Sequence, residues 1–382
     1  MNRVALRLLV ALALAAIALV AMRGHLTGPP HWTPDGLFYE ARALKLGGVD
    51  TATALERTFG GDIGAQLRRV DPERSGDPAW SAYHARFYER RISVPLAAKA
   101  IAPVSGERAL LDVSIAGYVA AVLAIFGLLL LRFGLPIAAG VALLTIFLPA
   151  LTEHASFPQT DSWGLALETA ALACAVLALR RGPRWIVPWF LAILVLSFTR
   201  DSAAIPIAAA AGAALMLRSR VSLALFGSGV VAALPVLLAF STPMRELLAT
   251  MLNDAQPNPG GSWGFIAGRY PGAVVDLLHA DGGFVLDGAW YSAAYLLAGI
   301  ALLFLVGWRA ERTPATILLQ AAALAGVVFV LLVPVFSAFR LELALVPMAA
   351  FGLALGAERV ARRLAVRMPS FERLAAAEQA RP

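Results

Sequence analysis

The stretch "ALLDVSIAGYVAAVLAIFGLLLLR", residues 109–132, decides the fold class. It is long enough for one helix to cross the roughly 30 Å hydrocarbon layer of a bilayer, which takes about 20 apolar residues. Working outward, comparable runs recur near 4–22, 134–151, 162–179, 185–199, 202–217, 221–241, 289–308, 315–336 and 340–357. With 109–131 they make ten. Those at 185–199 and 202–217 are short and are expected to be tilted or partly re-entrant. Composition agrees with the runs. The chain is 59% hydrophobic and 15% charged, with a mean hydropathy of +0.72, where soluble domains carry about 25% charged residues. The expected fold is all-α: a polytopic membrane protein of about ten transmembrane helices forming a single integral domain over 1–382.

The net charge of +7 is not a nucleic-acid signal, because of where the basic residues sit. With the N-terminus inside, the inner loops hold Arg132, then Arg180, Arg181 and Arg184, then Arg218 and Arg220, then Arg309 and Arg312. Beyond the first outer loop, the outer segments hold only Arg200, Arg245, Arg269 and Arg340. This bias sets an orientation with both termini cytoplasmic. Trp163 and Trp290 fall at outer span ends, Trp185 and Trp308 at inner ends, as an aromatic belt requires. Arg3 and Arg7 before the first apolar run resemble a signal peptide start. However, no small-x-small cleavage site stands clear of that run, so it reads as a retained anchor. Cys174 is the one cysteine, which excludes an intramolecular disulfide and a cysteine zinc site. No internal repeat and no low-complexity tract is evident.

Two outer segments are long, 23–108 and 242–288. In the first, short amphipathic helices are expected at 35–46, stopped by Gly47-Gly48, and at 92–102, resting on the membrane surface. "DPERSGDPAW" (71–80) reads as a turn-rich connector. The second holds "NDAQPNPGGSWGF" (253–265), expected to be mobile and to cover a site mouth. The basic tail 358–382 is expected to rest on anionic lipid.

All five histidines fall on the outer side, as do Asp35, Glu40, Glu153, Asp161, Arg200, Asp201 and Arg340. In "HWTPDGLFYEAR" (31–42), Thr33 suits an N-cap and Pro34 the first helical position, leaving Asp35 in the positive first turn. That placement is a sound structural reason for an acid. It also holds a carboxylate rigidly at the bilayer edge. Tyr39, four residues on, shares Asp35's face; Glu40, roughly 140° around, does not. In "TEHASFPQTDSW" (152–163), Asp161 or Ser162 suits a helix cap, and Glu153 and His154 suit a solvated loop. Glu168 is two turns inside the span, either a functional group or a buried partner for a neighbouring helix. Arg200 and Asp201 either pair with each other or leave Arg200 free to fork onto a lipid phosphate. Arg340 lies at the same depth, to snorkel, to pair with an acid such as Glu342, or to hold phosphate.

A retained anchor, an outer loop with an early acid, surface helices with "RRISVPLAAKA", a second acid between the third and fourth spans, and "FRLELALVP" near the end resemble the GT-C superfamily of membrane glycosyltransferases. That superfamily includes protein O-mannosyltransferases and the lipid A aminoarabinose transferase. The resemblance covers residues 1–210 in layout. It implies a polyprenyl-phosphate sugar donor, transfer at the outer (periplasmic) face of the cytoplasmic membrane, and a glycan, lipid or protein acceptor. It implies Asp35 as general base, Asp161 as the second acid, and Arg200 or Arg340 on the donor phosphate, supported by Tyr39, Glu40, His154, Glu168 and Asp201. Two departures stand out: several relatives carry a paired acid where this chain has Asp35-Gly36, and no large soluble C-terminal domain is present. No cofactor is implied with certainty; a divalent metal, Mg or Mn, on Asp35, His154 and Asp161 is left open. The competing readings are a glycan polymerase or ligase using Arg245, Arg269 and His279, and a lipid or solute transporter.

Overall fold

A computed structural model describes residues 2–72, 76–240, 244–310, 312–333 and 339–367. Among them every regular element is helical. Seventeen helices carry the argument. They are α1 (Arg3–Ala21), α2 (Pro34–Leu46), α3 (Thr51–Leu55), α4 (Pro78–Tyr88), α5 (Ser93–Ser105), α6 (Ala109–Leu130), α7 (Leu135–Ile146), α8 (Pro149–Ala155) and α9 (Asp161–Arg181). After these come α10 (Ile186–Ser197), α11 (Ala204–Leu217), α12 (Arg220–Ala239), α13 (Met244–Met251), α14 (Trp263–Phe284), α15 (Trp290–Ala310), α16 (Pro314–Leu332) and α17 (Val346–Arg367).

Seven helical stretches among the described residues are long and apolar enough to cross a membrane, eight if the bent pair α7–α8 counts as one span. The expected spans at 185–199 and 202–217 become α10 and α11, apolar but shorter. Both lie against neighbouring helices, α10 on α9 and α12, and α11 on α12 and α16. The main core runs through α1, α6, α7, α9, α15, α16 and α17, with α6 against α9 and α15 against α17 as the most extensive pairs.

The first long polar segment, 23–108, folds around α2. Leu37, Phe38 and Ala41 join Ala54, Leu55, Phe59 and Trp80 in a small core of their own. Tyr39 on the same helix joins Val94, Ala98, Ala109, Leu110 and Val113. The helix is thus clamped between the loop and the span bundle. It starts as its sequence dictates: the Thr33 hydroxyl accepts from Gly36 N at 3.2 Å, with Pro34 at the start. It ends at Gly47, followed by Gly48 at φ +94°, where a side chain would be strained.

The helix expected at 92–102 is α5, whose Val94, Pro95 and Ala98 are buried against its neighbours while Leu96 stays exposed. The connector 71–80 ends inside a helix: Asp77 caps α4 through Ala79 N at 2.8 Å; residues 73–75 lie outside the described residues. In the second long segment, 253–262 carries no helix, and α13 and α14 flank it. The α14 helix passes through Pro271, and Ala255 O is held by the Trp80 indole at 2.9 Å. Most of the basic tail (368–382) lies outside the described residues.

Candidate functional site

The residues of interest sit where helices begin or end at one end of the bundle. Asp35 is in the first turn of α2, and Asp161 opens α9. Arg200 and Asp201 lie between α10 and α11, and Arg340 precedes the Glu342–Leu345 turn that leads into α17. Arg132 and Glu358 pair at 3.1 Å away from this cluster.

Arg340 joins the two acids. Its Nη2 lies 2.6 Å from Asp35 Oδ2. The same guanidinium forks onto Asp161, Nε to Oδ1 at 2.8 Å and Nη2 to Oδ2 at 3.1 Å. Arg200 also donates to Asp161 Oδ1. Asp161, fully buried in its side chain, therefore carries two guanidiniums. Forked, charge-assisted bonds of this kind fix orientation as well as add energy.

Around this centre lies a ring of partners. The Tyr88 hydroxyl donates to Asp35 Oδ1. Tyr39 Oη meets Thr160 Oγ1 at 3.1 Å and accepts from Arg91 Nη1 at 2.6 Å. Arg91 continues to Asp201 Oδ2 at 3.3 Å, and Arg90 reaches Asp201 Oδ1 at 2.6 Å. The four arginines of this network outnumber its three aspartates, a surplus that suits an anionic ligand.

Burial alone would raise the Asp35 carboxyl, but the charges of Arg340 and Arg91 and the Tyr88 hydroxyl outweigh it and hold it below 3.8, its ordinary value. Tyr88 moves the other way: burial, then the charge of Asp35, keeps its hydroxyl protonated well above the usual range. Tyr88 thus stays a donor.

Two glycines make the close approaches possible. A Cβ on Gly36 would stand 3.1 Å from Pro158 O, a tight approach, so an acid beside Asp35 would press α2 a few tenths of an ångström off the 156–160 turn. A Cβ on Gly164 would stand 2.5 Å from Arg200 Cδ, in the path Arg200 takes to Asp161.

The sequence-chosen residues divide cleanly. Asp35, Asp161, Arg200 and Arg340 form one cluster, with Tyr39 and Asp201 in its ring. Expected neighbours Arg200 and Asp201 do not pair: Arg200 is extended (φ −153°, ψ 160°), and the two side chains leave for different partners. His154 is buried in α8, not in a solvated loop, and interacts electrostatically with Asp161. Glu168 is buried with a hydrogen bond to Ser202 and no partner for Oε1. With Asp161, Arg200, Ser202, Arg340 and Phe329 it lines a cavity of ≈ 20 Å³, room for about one water. Glu40 points elsewhere: burial and the charge of Glu107 raise it. Tyr88 was missed; Arg90 and Arg91 open the "RRISVPLAAKA" stretch but were given no role.

Among the described residues, no three His, Cys, Asp or Glu side chains converge as metal ligands. Arg340 stands between Asp35 and Asp161 instead, so the trio Asp35, His154 and Asp161 does not fit a divalent ion in this arrangement. Arg245, Arg269 and His279 make no hydrogen bond or ion pair with the cluster. Glu246 of α13 pairs with Arg86 and Tyr83 of α4.

No family model matches this chain, and no curated protein matches it.

Proposed function

We propose that this chain is a membrane glycosyltransferase of the GT-C type, with ten spans. On this reading it moves a sugar from a polyprenyl-phosphate donor to an acceptor hydroxyl at the outer face of the cytoplasmic membrane, in envelope glycan assembly. One observation carries the reading. Arg340, late in the chain, is held between Asp35 of the first long polar segment and Asp161 just before the fourth expected span. A guanidinium that bridges two carboxylates can equally grip a phosphate, and a carboxylate lies within its reach to serve as base.

The chemistry balances without a redox partner. The acceptor oxygen gives its proton to Asp35 and forms a bond to the anomeric carbon. The bond from that carbon to the phosphate oxygen breaks, and polyprenyl phosphate leaves with the electron pair. One such displacement inverts the anomeric centre. Arg340 and Arg200 meet the charge that grows on the leaving phosphate. Asp161, which touches both guanidiniums and is buried, is a positioning residue.

The test is native mass spectrometry of Asp35→Asn purified in mild detergent. Removing the base stalls transfer and leaves the donor bound, so a copurifying polyprenyl-phosphate sugar is the expected result. Ordinary phospholipid alone, in repeated preparations, removes the transferase reading in favour of a transporter or ligase.

A further inference from the structure

Tyr88 has two faces. Its hydroxyl serves Asp35, and its ring, stacked on Phe38 at 4.6 Å, forms a wall of a second pocket. That pocket lies between α2, α3 and α4 and is also lined by Arg42, Lys45, Thr51 and Glu89. Lys45 and Glu89 satisfy each other at 2.6 Å. Arg42 has no hydrogen bond or ion pair among the described residues, and its Nε is buried without a partner. Burial pushes Arg42 down from its ordinary value, opposed only by the charge of Glu89. A half-buried cation with an empty donor is costly to keep unless an anion meets it.

Arg42 is seven residues after Asp35 on one helix. Seven residues are about two turns, so both side chains leave the same face, roughly 10 Å apart along the axis. We infer that this pocket seats the anionic group, a phosphate or carboxylate, of an acceptor whose reacting hydroxyl reaches Asp35 past Tyr88. The inference rests on the transferase reading for the role of Asp35; the anion seat itself does not. It limits the acceptor to hydroxyl compounds carrying a negative group about 10 Å from the hydroxyl. Such an anion has two sources, a phosphorylated saccharide or a phospholipid headgroup.

The full-length protein in phosphatidylcholine nanodiscs is titrated with glucose 6-phosphate and with glucose. In parallel, phosphatidylglycerol retained by the detergent-purified protein is counted by native mass spectrometry. The expected result is a preference for one anionic probe that Arg42→Gln weakens about tenfold or more. Glu89→Gln, which frees Lys45, should tighten the same probe several-fold, a gain that misfolding does not mimic. Dependence through glucose 6-phosphate marks a saccharide; dependence through phosphatidylglycerol marks a lipid. The inference is overturned if neither probe binds the wild type, or if both bind Arg42→Gln as they bind the wild type. Donor retention by Asp35→Asn is read separately. If the donor copurifies but Arg42 is irrelevant to anions, only the pocket assignment falls. If Arg42 binds anions but no donor is ever retained, only the transferase reading falls.

Discussion

Asp35 is both the proposed base and the partner of a cation, and these two roles pull against each other. Held below its ordinary value by Arg340 and Arg91 against the effect of burial, it is a weak base at rest. On the transferase reading, a donor phosphate that takes Arg340 for itself removes the nearer charge and makes Asp35 more basic just as the substrates are in place. The sign of the pH effect follows. A carboxyl lowered in the folded state contributes stability that is present above 3.8, its ordinary value, and is lost as pH falls through the lower folded value. Between pH 7 and 5, melting of the wild type should therefore lose nothing through this group, and transfer should show no acid limb from it. In Arg340→Gln, burial is opposed only by Arg91 and Tyr88, so Asp35 moves up and the acid limb of the transfer profile shifts to higher pH. A variant profile that merely scales down, with its shape unchanged, would show that Arg340 does not govern Asp35. The adjacent pair Arg200-Asp201 carries the complementary lesson. Sequence neighbours of opposite charge looked ready to pair, but an extended residue turns successive side chains apart: Arg200 reaches Asp161 on α9, and Asp201 reaches Arg90 and Arg91 in the link between α4 and α5.

At the scale of elements, the site depends on helix ends packed close enough for side chains to cross. Gly164 is where that closeness is visible. Gly164→Ala puts a methyl group on the route of Arg200 and displaces its guanidinium from Asp161. The expected effect is a transfer rate lower by roughly tenfold or more, since small misplacements of a positioned group are costly, with little change in melting temperature. Gly140, with open space around its Cβ position, is the control and should tolerate alanine. Equal rates for both variants would mean that Arg200 need not lie across α9. Much of α2 was legible, because Thr33, Pro34 and Gly47-Gly48 act locally and mark both ends. The α14 helix was not. No helix was marked there, although Asp281 on that helix accepts from Phe339 N at 3.0 Å and steadies the corner that carries Arg340. Long-range bonds of this kind leave no periodic trace, which is also why the roles of Tyr88, Arg90 and Arg91 were not legible.

For the whole molecule, apolar length and arginine placement made the membrane class legible, because both are sums over many residues that no single contact overrides. The number of spans was less so, since α10 and α11 are short and owe their places to packing on neighbours rather than to length. The orientation is the remaining global claim, and the function depends on it: a lipid-linked sugar on the outer face can meet Asp35 only if the cluster faces outward. Replacing Cys174 by alanine gives a chain without cysteine. Into it, Val70→Cys places a thiol in the first outer segment, and Arg181→Cys places one at the far end of α9; both positions are exposed. A membrane-impermeant maleimide applied to intact cells should label position 70, and position 181 only after lysis. The arginine-rich end is expected inside because basic loops are retained on the cytoplasmic face. Labelling at 181 alone would invert the molecule and place Asp35, Asp161 and Arg340 in the cytoplasm. The cluster would then have to serve a donor presented from that side, and the outer-face transferase reading would fail.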